Sequence, residues 1–106
     1  MITSEFITWM IEEKKYPKNT AISKATSCKK VWAIHGNLDQ HYRRDNGEYI
    51  ISLLTYSSSD HKNGIEPKHS IPIGGNKYTN TATYKQVSKF YMEFKEYQDL
   101  QKFSTI

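Results

Sequence analysis

Apolar residues recur along the chain at three- and four-residue spacing, separated by Pro, Gly and Asn. That period belongs to helices, with each stripe marking a face turned toward a core. Phe6, Ile7, Met10 and Ile11 form the first stripe, flanked by Trp9, and predict a helix over about 4–15. Thr3 or Ser4 can cap it. Pro17 disfavours helical backbone at Tyr16 and closes it. A second stripe, Ala21 or Ile22, Ala25, Cys28, Trp32 and His35, predicts a helix over about 19–35. Pro17 and Asn19 are its start signals and Gly36-Asn37 its stop.

"NLDQHYRR" then reads as a short helix capped by Asn37, with Gln40 at the capping-box position. Asn46-Gly47 is a turn. "EYIISLLTY" predicts a fourth helix over about 48–57, its face made by Tyr49, Ile50, Leu53 and Leu54. Residues 58–76 show no helical period and contain Asn63-Gly64, Pro67, Pro72 and Gly74-Gly75. They predict a long irregular loop, with "KHSIPI" extended and pinned by Ile71 and Ile73. The last helix carries Tyr84, Val87, Tyr91 and Phe94 on one face with Phe90 beside them. Thr81 or Thr83 is its expected cap, Gln86 completing a Thr-x-x-Gln box with Thr83. Tyr97, Leu100 and Phe103 continue the spacing to about 102. The expected fold is all-α, one domain over 1–106, a bundle of four to five helices with a long loop before the last.

Charge adds the first functional hint. The net charge is +4, and it is unevenly spread. Residues 14–38 hold Lys14, Lys15, Lys18, Lys24, Lys29 and Lys30 without an acid, and residues 67–92 hold Lys68, Lys77, Lys85 and Lys89 without one. Two such segments sharing one face make the electrostatic footprint of a nucleic-acid binder. No run of apolar residues is long enough to span a membrane, and the N-terminus lacks the basic region of a secretion signal. A single cysteine excludes an internal disulfide. A cytoplasmic setting follows as the expectation, and Cys28 reads as a small core residue.

The tests for catalysis come out negative. A phosphate-binding P-loop places Lys directly after the second of two spaced glycines. Here Gly74 and Gly75 are adjacent and Asn76 precedes Lys77. One of the two glycines is expected to hold a positive φ and to turn the loop onto the last helix. His35, His41, His61 and His69 form no helical metal-ligand pair, and the loop histidines read as solvated. Ser57-Ser58-Ser59-Asp60-His61 has triad residue types, but neighbours on one loop do not converge as a triad. No catalytic residue, metal or cofactor is assigned.

Helix starts remain as candidate contacts, because they expose unpaired amides and a positive dipole that attract phosphate. Lys18, Asn19, Thr20 and Lys24, with Lys29 and Lys30, surround the second helix. Lys77, Thr79, Thr81, Thr83 and Lys85 surround the start of the last. The expected partner is duplex DNA, bound through its backbone. A protein partner is the alternative, as for a phage-encoded inhibitor or a regulator of a nucleic-acid enzyme. Its anchor would be one patch formed by Trp9, Tyr16, Tyr42, Tyr56 and Tyr78.

The order of "FITWM", "NTAISKATSCKKVWAIHG", "LDQHY" and "TATYKQVSKFYMEF" resembles the SAM-like core-binding domain of tyrosine recombinases and phage integrases over about residues 4–97. The resemblance implies a helical domain that clamps DNA without cleaving it, such as an accessory module of a mobile-element or restriction-type protein. The 58–76 loop is longer than that family's usual connection.

Overall fold

The computed structural model describes residues 3–104, with side chains up to 102. Six helices succeed one another without a strand among those residues: α1 (Ser4–Glu13), α2 (Lys18–His35), α3 (Leu38–Asp45), α4 (Glu48–Leu53), α5 (Ser58–Lys62) and α6 (Lys77–Ser104). The chain is an all-α bundle, as expected. α6 is its spine, and each of the other five helices packs against it.

The core is aromatic at its centre. Phe6 is fully buried and meets Tyr91 edge-on at 5.1 Å and Phe94 at 5.4 Å between ring centroids. Trp9, expected beside the apolar stripe, lies inside the core with its ring 5.8 Å from Phe94. Aromatic pairs of this kind contribute about 1 kcal/mol each beyond the area they bury. On α2 the inner stripe is Ala21, Ala25, Cys28 and Val31, so small residues let α2 approach α6 closely. Val31, not Trp32, is its last fully buried member.

Half-buried polar links fix the register of α3 against α6. Tyr91 donates its hydroxyl to Asp39 Oδ1 at 2.7 Å, and Tyr42 donates to Asp99 Oδ2 at 2.8 Å. Lys95 stands 3.5 Å from the same Asp39 oxygen. Burial and the Asp99 hydrogen bond push the Tyr42 phenol up to about 12. Burial alone raises the Cys28 thiol to about 12, in keeping with a core role.

Several boundaries differ from the sequence expectation. α1 ends at Glu13, and Lys15 then takes a left-handed φ of 60° that carries the chain into Pro17. α4 ends at Leu53, and its buried pair is Ile50 and Leu54, with Tyr49 turned outward. Within the expected loop, Ser57 and Asp60 form a reciprocal capping box that nucleates α5. Those two side chains are thereby used in capping. α6 begins at Lys77 because Asn76 Oδ1 accepts the Thr79 amide at 2.9 Å. Thr81 and Thr83 are therefore interior residues of the helix, not caps. The buried stripe of α6 stops at Phe94: Tyr97 is exposed, and Leu100 is 61% exposed. The inner positions beyond Phe94 are polar, with Gln98 donating to Glu5 and Asp99 accepting from Tyr42. Phe103, the last residue of the predicted stripe, has a side chain outside those described.

The irregular segment 65–76 is pinned as expected by Ile71, which is buried, and Ile73, which packs at the core's edge. His69 also anchors it and is not solvated: its Nε2 lies 2.8 Å from Thr81 Oγ1, and its Nδ1 accepts the Ile71 amide at 3.1 Å. His35 Nε2 accepts the Ser70 amide at 3.1 Å, tying the same segment to the end of α2. Gly75 has φ 113°, the left-handed value expected of one member of the glycine pair.

Candidate nucleic-acid interface

The two lysine-rich helix starts differ in kind. Pro17 stands at the N-cap of α2 and offers no capping side chain, and α2 has no acid in its first turn. The Ala21 amide reaches the Pro17 carbonyl at 3.0 Å. The amides of Lys18, Asn19 and Thr20 have no helical acceptor, as at any helix start. They face outward with a positive dipole end behind them.

The start of α6 is closed by comparison. Asn76 caps it, and Asn80 Nδ2 donates back to the Asn76 carbonyl at 2.8 Å. Lys77 Nζ lies 2.6 and 2.7 Å from the two Glu66 carboxylate oxygens. Glu66 sits one residue outside the acid-free stretch that made Lys77 a candidate. Thr81 is 0% exposed and bonded to His69, so it is a core residue and is withdrawn as a contact. Thr79 is exposed, and Thr83 donates its hydroxyl to the Thr79 carbonyl at 3.2 Å. Lys85 points to the other flank of α6, toward α4 and α5.

The α2–α6 seam does bring four of the candidates together. Asn19, Thr20, Lys24 and Thr83 line a shallow hollow of about 320 Å³ with Ser23 and Ser27. No carboxylate lines it. Lys24 crosses the seam to Gln86 Oε1 at 2.6 Å, while its ammonium sits 4.9 Å from the centre of the Tyr16 ring. That cation–π contact holds the charge at the rim. Lys18, Lys29 and Lys30 are exposed on α2, and none of the three lines the hollow.

Ser23 and Ser27, and Gln86 in this role, are participants that the sequence reading did not single out as contacts. Thr20, Ser23 and Ser27 stand at i, i+3 and i+7, a polar stripe beside the apolar one, and that spacing was the available signal. The hollow thus presents hydroxyls, an amide side chain and an ammonium next to free backbone amides. Such a set donates hydrogen bonds to anionic oxygens.

The aromatic patch expected for a protein partner does not assemble. Trp9 is buried; Tyr16 packs on Phe90 at 6.1 Å; Tyr42 bonds Asp99; Tyr56 donates to the Ile65 carbonyl at 2.5 Å. Of the five, Tyr78 alone is exposed. Among the described residues no helix is long and apolar enough to cross a membrane. No family model, curated protein or solved structure matches the chain.

Proposed function

We propose that the chain is a non-catalytic DNA-binding module that holds the phosphate backbone at the start of α2. The observation that carries this reading is the uncapped first turn of α2, opening beside a carboxylate-free hollow with Lys18 and Lys24 near it. Free amides position a phosphate, and the lysines supply charge without reading sequence. DNA clamping without cleavage is also what the resemblance to the integrase core-binding domain implies. The contact set shifts toward Lys18, Asn19, Thr20, Lys24, Thr83 and the outward Lys29 and Lys30. Lys77, paired with Glu66, contributes little.

Fluorescence anisotropy with a short labelled duplex across a salt series tests the proposal. Affinity should fall with salt at a slope of about 0.9 per phosphate neutralised. Lys18→Ala with Lys24→Ala should weaken binding and lower that slope by nearly two. Lys77→Ala should change affinity less than twofold. No binding to duplex at low salt, or a Lys77→Ala effect as large as that of the α2 pair, refutes it.

A further inference from the structure

A second groove lies across α6 from the α2 seam. It runs between α6 and the turn joining α4 to α5, and its volume is about 520 Å³, enough for a small ligand group. Tyr78, Lys85 and Lys89 line one wall at i, i+7 and i+11 of α6. Tyr56 and Ser57 line the other, with Gln86 at the edge. No carboxylate lines this groove either.

Its two lysines are uncommitted. Lys14, Lys77 and Lys95 are ion-paired and Lys24 is bonded to Gln86, whereas Lys85 and Lys89 have no ion pair or hydrogen bond among the described residues. They stand one helical turn apart, about 6 Å along the axis. Tyr78 is 38% exposed, and its ring is backed by other rings. His61 lies 6.2 Å from it at a tilt of 30°, and Tyr56 meets His61 edge-on at 6.0 Å. Tyr56 is fixed in turn by its hydrogen bond to the Ile65 carbonyl. An exposed ring with ordered support, beside free ammonium groups, has the two parts of a single-strand site: a surface for base stacking and charge for the backbone. Bases within a duplex are already stacked, so such a ring serves an unpaired base.

We infer that this groove binds a short single-stranded stretch of nucleic acid, with one base stacked on Tyr78 and adjoining phosphates on Lys85 and Lys89. The inference goes beyond duplex binding and stands on Tyr78, Lys85 and Lys89, none of which lines the α2 seam, so the two can fail separately. An acidic peptide would satisfy the lysines but leave the ring unused.

The test compares a labelled thymidine hexanucleotide, the same backbone with abasic sites, a hexaglutamate peptide and a short duplex, all by anisotropy. The parent should bind the thymidine strand about tenfold more tightly than the abasic one. Tyr78→Ala should remove about that factor, and Tyr78→Phe should keep it, with circular dichroism checking that each variant is folded. Lys85→Ala with Lys89→Ala should lower the salt slope by about 1.4, at roughly 0.7 per single-strand phosphate. Duplex affinity should be indifferent to Tyr78→Ala. Equal binding of thymidine and abasic strands, hexaglutamate binding as tight as the thymidine strand, or a folded Tyr78→Ala variant with unchanged affinity overturns the inference. Duplex binding without single-strand binding overturns it while leaving the α2 proposal standing; absence of both overturns both.

Discussion

Gly47 joins α3 to α4 where the backbone passes close against Met92 of the spine helix. Its φ is 82° and ψ 9°, and it follows Asn46, also left-handed, at φ 57°. A Cβ added at Gly47 would stand 2.7 Å from both Cγ and Sδ of Met92 and 2.9 Å from its Cε. Gly47→Ala therefore carries two penalties. Left-handed backbone costs a non-glycine residue about 1–2 kcal/mol. Overpacking against Met92 adds about 1–3 kcal/mol, toward the low end because a methionine side chain can shift. The loss of a flexible glycine from the unfolded chain returns about 0.4–1 kcal/mol. The net expectation is destabilisation by about 2 kcal/mol, or a melting temperature lowered by about 10 °C for a domain of this size. Urea unfolding followed by circular dichroism measures it. A double-mutant cycle separates the terms: in a Met92→Ala background the steric part disappears, and Gly47→Ala should cost at least about 1 kcal/mol less. A parent-like stability for Gly47→Ala, or an equal cost in both backgrounds, refutes the reasoning.

Four further outcomes are expected. Ser88 is fully buried in α6 and its hydroxyl has no hydrogen-bond partner among the described residues; Ser88→Ala should raise stability by about 1 kcal/mol in urea unfolding, and a loss of stability would show that the hydroxyl is satisfied. Thr81→Val removes the partner of His69 Nε2 inside the fold and should cost about 1–3 kcal/mol by the same measurement, an unchanged midpoint refuting that link. His35 and His69 are both held below the usual histidine range, each first by burial, then by the charge of His41 on His35 and of His35 on His69; a lowered folded-state value means the unfolded chain takes up protons first as pH falls, so stability is complete above about pH 6.5 and declines below it, and His35→Gln with His69→Gln should flatten the melting profile between pH 7.5 and 5.5. The Cys28 thiol, buried and raised to about 12, should resist a thiol reagent in native buffer and react fully in denaturant; rapid native labelling would contradict its core placement.

Local chemistry made much of the fold legible. The Asn37 cap, the α2 stripe through Cys28 and the left-handed turn at Gly75 each follow from one residue type at one spacing. α5 was hidden because its capping box uses Asp60 where Glu or Gln is the usual signal. The start of α6 was misread because Asn76, Thr81 and Thr83 are all competent caps, and propensity does not choose among them. What chooses is tertiary: His69 draws Thr81 inward from twelve residues away. The candidate site was legible as charge but not as geometry. Whether a lysine is free depends on partners such as Glu66 for Lys77, eleven residues distant, and Gln86 for Lys24, sixty-two distant. Composition shows that lysines are present; only the packed bundle shows which are already paired.

The central position of α6 has a consequence for synthesis. α1 through α5 all rest on a helix that leaves the ribosome after them. Until α6 emerges, the contacts open to them are those they make with one another, chiefly of α1 with α2 and of α3 with α4. At about 5–20 residues per second, Phe6 and Trp9 wait several seconds before Tyr91 and Phe94 exist to cover them. Folding is therefore deferred to the arrival of one helix, and the nascent chain passes through a window in which its largest apolar side chains lie open to chaperones.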